Sequence, residues 1–191
     1  MKKVALVTGA SSDIGLAVVK ELIGSNYKVY AHVNSNRNAL DRLRLESDLE
    51  IVQQELNQPA QARMLVEAVR QKETRLDALV NTVGPLKSKD LTELTPEEWQ
   101  EQIHLNLNLV FYLFHFAKDF LIHSKGHIIN FTFSGVDSLT ARMNSTAYCA
   151  AKTGLVVLTK SMATSLAKHQ VRVNALSPGP LGNIFRIVCI F

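Results

Sequence analysis

Val4-Ala5-Leu6-Val7-Thr8-Gly9-Ala10-Ser11-Ser12-Asp13-Ile14-Gly15 is the stretch that decides the fold of this chain. Its first four residues form a short, continuous apolar run, the pattern of a strand buried on both faces, and the run ends at a Gly/Ser turn. Leu16, Val18, Val19, Leu22 and Ile23 then follow at the spacing of one helix face. Strand, glycine turn and helix in that order favour an anion, because the first N–H groups of a helix lack partners and its dipole is positive there. Without the flanking strand and helix, the same glycines would mean only a loop.

The alternation continues along the chain. Strands are expected at residues 1–8, 28–33, 49–55, 77–81, 128–133 and 171–176. Helices are expected at 38–45, from Pro59 to about 72, from Pro96 with Thr95 as N-cap, and at about 145–168. Strands alternating with helices imply βαβ units, hence an α/β fold with a doubly wound parallel sheet of about six strands in three α/β/α layers. A length of 191 residues allows one domain with a real core, and no repeat or linker divides it. Residues 1–180 are read as that domain and 181–191 as an atypical apolar tail. Ligands of such sheets bind at the carboxyl ends of the strands. Each polar cluster follows a strand (residues 9–15, 34–37, 55–57, 81–84, 132–135 and 177–179), so all are expected along one edge.

The remaining composition excludes several classes. A net charge of +4 from dispersed Lys and Arg gives no basic stripe for nucleic acid. Cys149 and Cys189 have no metal or redox spacing, and the first residues lack the run and cleavage site of a signal peptide, so a cytoplasmic setting is expected. Residues 103–122 are apolar and about a bilayer long, but His104, Asn106, Asn108, His115, Lys118 and Asp119 interrupt them. A helix in the core or in a subunit contact is expected there, not a membrane span. His123 and His127 are four apart, but Gly126 breaks the helix and no third ligand follows at helical spacing, so no metal site is expected.

Tyr148-Cys149-Ala150-Ala151-Lys152 places an ammonium one helical turn from a phenol. A nearby cation lowers a phenol's pKa toward neutrality and makes it a usable proton donor or acceptor.

Several motifs in order then make the chain resemble the short-chain dehydrogenase/reductase family, in its single-domain branch. Residues 8–15 look like the family's T-G-x-x-x-G-x-G turn, and Asn81-Thr82-Val83-Gly84 is similar to N-N-A-G. Asn106 matches the asparagine of the catalytic tetrad, Tyr148 to Lys152 match Y-x-x-x-K, and residues 172–179 look like R-V-N-x-x-x-P-G. The resemblance implies a Rossmann-type fold similar to the 3-oxoacyl-carrier-protein reductases. It implies an oxidoreductase that moves a hydride between a nicotinamide and a small carbonyl or alcohol substrate. Tyr148 is then the general acid or base, Lys152 lowers its pKa and holds the nicotinamide ribose, and Asn106 fixes a water that links Lys152 to solvent. Gly9, Ser11, Ser12, Asp13, Ile14, Asn81, Val83, Gly84, Pro178 and Gly179 line the dinucleotide, and Glu55 and Leu56 flank its adenine. The helices at 96–122 and 145–168 pair subunits in a homodimer or homotetramer.

For the 2′ position of the adenosine ribose the residues after the second strand decide. Asn34, Ser35 and Arg37 stand there without a carboxylate, which favours NADP(H) over NAD(H). Four departures from the family pattern carry expectations of their own. Asp13 replaces a glycine and either repels the pyrophosphate or caps the following helix. Counting forward from Gly126 puts the tetrad serine at Phe133, and counting back from Tyr148 puts it at Gly135. Ser134 between them is the choice, with Thr132 and then Ser138 behind it. Thr82-Val83 stands beside the nicotinamide ribose in place of Asn-Ala. The chain ends soon after Pro178-Gly179, so a seventh strand and a substrate lid are expected to be missing, leaving the sixth strand's edge exposed. That last departure and Asp13 together keep a truncated, non-catalytic relic or an impaired nucleotide-binding module as the alternative function.

Overall fold

The computed structural model of the chain describes residues 1–178 and, by backbone alone, Val188–Cys189. Six parallel strands, β1 (Lys3–Thr8), β2 (Tyr27–Val33), β3 (Leu49–Gln53), β4 (Ala78–Asn81), β5 (His127–Phe131) and β6 (Arg172–Ser177), lie in the order β3-β2-β1-β4-β5-β6. The order turns back on itself between β1 and β4, which opens a crevice beyond the strand ends at that point. Each expected strand is present, within a few residues of its expected ends. One correction concerns the edge. A two-residue strand, β7 (Val188–Cys189), pairs antiparallel with β6 through Leu176–Cys189 and Ser177–Val188, so the tail contributes a short seventh strand where none was expected. Gly179 and the rest of the 181–191 tail lie outside the described residues.

Alternation along the strands sorts the core into two layers. Val4 and Leu6 of β1, Leu79 of β4 and Ile128 of β5 face α3 (Pro59–Arg70), α5 (Leu109–Ser124) and α6 (Thr146–Leu166). Ala5 and Val7, with Val29, Ala31 and Val33 of β2, face α1 (Asp13–Gly24) and α2 (Asn38–Arg44). Both faces are covered, which is why the strands read as unbroken apolar runs. Each large aliphatic side chain so buried stabilises the fold by about 1.5–3 kcal/mol.

The long apolar segment is not one regular helix. Thr95 caps α4 (Pro96–Ile103) through Glu98 N–H, while the Glu98 carboxylate returns a bond to Thr95 N–H, a full capping box. A π-helical turn at His104–Asn108 then inserts one extra residue before α5. Pro96–Ser124 is long and apolar enough by length and composition to cross a membrane. Here Leu109, Val110, Leu113, Ala117, Phe120 and Leu121 are buried against the sheet and α3.

Candidate active site

The turn after β1 is built from backbone and short side chains. Gly9 takes φ of +67°, a left-handed conformation that a β-carbon would strain. Ser12 caps α1: its hydroxyl accepts from Gly15 N–H at 3.1 Å and donates to Gly9 O at 2.8 Å. Asp13 is therefore not the cap. It is the exposed first residue of the helix, where its carboxylate complements the dipole. Among the described residues no acceptor takes the N–H groups of Ser11, Asp13 and Ile14. They are the open donors of a helix start, the arrangement that holds a phosphate.

Two braces hold this turn that no motif marks. His32, buried at the end of β2, has Nε2 2.8 Å from Gln54 O; a carbonyl only accepts, so Nε2 donates and Nδ1 is left to accept from Gly9 N–H at 3.3 Å. Burial pushes the His32 pKa down and keeps the ring in the neutral form that this pair of bonds requires. Thr82, expected only as a bulkier neighbour of the ribose, donates its hydroxyl to Thr8 O at 2.5 Å and also lies 3.1 Å from Gly9 O. A histidine or threonine alternating into a strand end gives no sequence signal for such a contact.

The loop after β4 joins two halves of the site. Val83 lies against the Gly9 turn, where an added Gly9 β-carbon would stand 2.9 Å from Val83 N. At its other end, a β-carbon on Gly84 would stand 2.5 Å from Lys152 Nζ and 2.8 Å from Asn106 Oδ1. Asn81 below them is buried and donates to Asn130 Oδ1 at 2.9 Å. Asn130 in turn donates to Thr159 of α6 at 2.9 Å, so a buried polar chain runs from the loop to the helix of Tyr148 and Lys152.

Asn106 sits in the π turn, fully buried. Its amide donates to Gln102 O at 3.0 Å and Pro85 O at 3.2 Å, and its Oδ1 has no partner among the described residues. An unpartnered buried acceptor is costly, and π turns recur at functional sites. The Lys152 ammonium is also buried, donates to Phe131 O at 2.8 Å and lies 5.8 Å from the centre of the Tyr148 ring. Burial pushes Lys152 down to about 8. Tyr148 is half-buried, and its pKa is pushed up by burial first and by the neighbouring Cys149 second. The expected lowering by Lys152 is thus not present in this structure, where the ammonium lies over the ring and burial sets the direction of the shift.

The remaining expected residues divide. Asn34 and Ser35 are exposed after β2, with Ser35 O 3.5 Å from Gln53 Nε2. Arg37 is bound to Asp41. Glu55 is exposed and accepts from Asn57, whereas Leu56 turns into the core and its carbonyl accepts from His104. Pro178 follows β6, half-buried. Strand β5 ends at Phe131, two residues earlier than expected, and Thr132 Oγ1 is occupied by Leu176 O at 3.1 Å. Ser134 is exposed in the following turn, and the residue against Tyr148 is Phe133, with ring centres 5.9 Å apart. No hydrogen bond joins Ser134 or Ser138 to Tyr148 among the described residues, so the structure leaves the serine of the tetrad unbrought to the tyrosine.

Residues 3–183 match the model of the short chain dehydrogenase family. The chain belongs to that family. It is 33% identical over 183 residues to the 3-oxoacyl-[acyl-carrier-protein] reductase of Synechocystis sp., covering 93% of this chain and 73% of the relative. It is 32% identical to the acetoacetyl-CoA reductase of Rhizobium meliloti, covering 95% and 75%. Among solved structures, a putative 3-oxoacyl-reductase from Bacillus thuringiensis superposes with a TM-score of 0.89 at 28% identity, covering 98% of this chain and 81% of that one. A metagenomic short-chain oxidoreductase in complex with NADP superposes with a TM-score of 0.85 at 29% identity, covering 94% and 83%. The short chain dehydrogenase so identified is an oxidoreductase that uses a nicotinamide cofactor on a small-molecule substrate, and it spans about three-quarters of the length of these curated relatives.

Proposed function

We propose that the chain is a soluble, cytoplasmic NADP(H)-dependent carbonyl reductase, or alcohol dehydrogenase in reverse, acting on 3-oxoacyl compounds of the kind named for its relatives. The observation that carries this reading is the β4 loop, which touches the glycine turn through Val83 and the Lys152–Asn106 pair through Gly84. The residues present fit a dinucleotide. The Gly9 turn offers open N–H donors to a pyrophosphate, and the unpartnered Asn106 Oδ1 and the Lys152 ammonium border one cradle at Gly84.

A bound nicotinamide supplies the hydride. Tyr148 gives its phenolic proton to the carbonyl oxygen as the hydride arrives, and the Lys152 ammonium, 5.8 Å from the ring centre, must move closer to the phenolic oxygen before it can stabilise the phenolate left behind. Lys152, with a pKa of about 8, gains and loses a proton near neutral pH, and Asn106 Oδ1 holds the water through which it is resupplied. Ser134 acts, in this proposal, on the substrate oxygen only after the turn around Phe133 adjusts. Saturable quenching of NADPH fluorescence tests the reading. Tyr148→Phe keeps that binding and loses turnover by about 10²–10⁴-fold. Absence of saturation at millimolar NADPH overturns the proposal.

Subunit pairing through the outer faces of the 96–122 and 145–168 helices is part of the same reading. Phe111 of α5 and Val157 of α6 expose 44% and 63% of their surfaces, and Phe111 heads a row of ring contacts with Tyr112, Phe114 and His115. Sedimentation at micromolar concentration is expected to show a dimer or tetramer. A protein that sediments only as monomer excludes this interface.

A further inference from the structure

The residues after β2 hold a carboxylate that the sequence motif does not place there. Arg37 precedes α2, and its carbonyl accepts from Asp41 N–H at 2.9 Å, which brings the two side chains to the same side of one helical turn. The guanidinium Nε lies 3.1 Å and 3.0 Å from the two Asp41 oxygens, and Nη2 lies 2.9 Å from Oδ1. This is a bidentate fork, the geometry in which a guanidinium grips a carboxylate or a phosphate with two parallel donors. Both side chains remain partly open to solvent, at 38% and 43% exposure.

We propose that Asp41 sets the dinucleotide preference of this chain by competing with a ribose 2′-phosphate for the Arg37 fork. The inference rests on the reading that the chain binds a nicotinamide dinucleotide with its adenosine ribose beyond β2. A 2′-phosphate approaching Arg37 meets a fork whose Nε–Nη2 edge is already filled, so it must either displace Asp41 or make do with the outer nitrogen. It also meets the Asp41 carboxylate, a like charge. A ribose diol meets neither difficulty, because Arg37 stays on Asp41 and the pair presents no net charge. Asn34, Ser35 and Asn36, the other side chains of this turn, are neutral and add no charge for or against a phosphate. The chain therefore accepts both dinucleotides, with a shallower preference for the phosphorylated one than Arg37 alone would give. Asp41 is a positioning residue in this scheme, acting through Arg37.

Dissociation constants for NADPH and NADH, read by fluorescence titration, test this without requiring turnover. Asp41→Asn is expected to raise the ratio of NADPH to NADH affinity by about three- to tenfold, the range of an exposed but bidentate charge pair. In an Arg37→Gln background the same substitution is expected to leave the ratio unchanged, because the fork it frees is gone. A ratio unmoved by Asp41→Asn overturns the inference, and so does an equal loss of both dinucleotides, which is the signature of a damaged helix. An equal rise in the Arg37→Gln background also overturns it, since Asp41 would then act on the phosphate directly. Natural protein that binds neither dinucleotide overturns the underlying functional reading and takes this inference with it; binding of both with a flat ratio removes the inference alone.

Discussion

Lys152→Met gives a protein that melts about 4–8 °C higher than the natural one at pH 7 and turns over substrate slower by a factor on the order of 10³. The two effects share one cause. The Lys152 ammonium is buried, and its pKa falls from 10.5 to about 8 because it loses its water. Holding it charged at neutral pH costs on the order of 3 kcal/mol. Its bond to Phe131 O returns about 1 kcal/mol. Methionine fills the same space without a charge, so the desolvation cost wins and the variant gains about 2 kcal/mol, at about 2–4 °C per kcal/mol for a domain of this size.

The pH dependence follows from the same shift. Between pH 8 and 10.5 the unfolded chain keeps the Lys152 proton while the folded chain has lost it, so the natural protein gains stability as pH rises through that window. The advantage of the methionine variant is full below pH 8 and shrinks toward pH 10.5. Melting curves of both proteins at pH 7 and pH 10 measure it, and groups common to the two cancel. A variant that melts lower than the natural protein at pH 7 would show that the Phe131 bond outweighs desolvation. On the proposed mechanism the cation is the active form, so turnover in the reductive direction is expected to fall as pH rises through about 8.

Residues whose role is set by neighbours in sequence were legible, and those set by contacts across the sheet were not. The glycine turn, the six parallel strands and the Tyr148–Lys152 helix follow from local runs and periodicities. Arg37 stands after the second strand as a cation in the sequence, and its i+4 partner Asp41, visible at helical spacing, changes what that cation can bind. The π turn at His104–Asn108 has no proline or glycine to announce it, and it is what turns Asn106 Oδ1 toward Gly84. The His32 brace joins residues 23 apart, and the contact between Thr82 and the Gly9 turn spans 73, separations at which a sequence offers no pairing rule. Phe133 shows the limit from the other side: both counts bracketed the turn, but which side chain reaches Tyr148 depends on where β5 stops, and it stops at Phe131.

Two glycine-to-alanine changes in α1 are expected to act with opposite signs. Alanine is the better helix former by about 1 kcal/mol, so Gly24→Ala, whose β-carbon meets nothing within 4 Å, stabilises the fold by up to about that amount. A β-carbon at Gly15 would stand 2.3 Å from Gly9 O, 2.8 Å from Ala10 Cα and 2.9 Å from Thr82 Oγ1. The first two are backbone atoms, so no side-chain rotation relieves them. Gly9 O also accepts from Ser12 N–H and the Ser12 hydroxyl, and moving it breaks the turn that aims the open N–H groups. Overpacking of this kind costs about 3 kcal/mol, well above the propensity gain, so Gly15→Ala is destabilised by about 2 kcal/mol or more. Dinucleotide affinity falls further than stability does, because the donors lose their common direction along with the turn. Urea denaturation and NADPH titration of the two variants measure both effects, and a Gly15→Ala protein as stable and as tight-binding as Gly24→Ala would refute the close approach of α1 to the Gly9 turn.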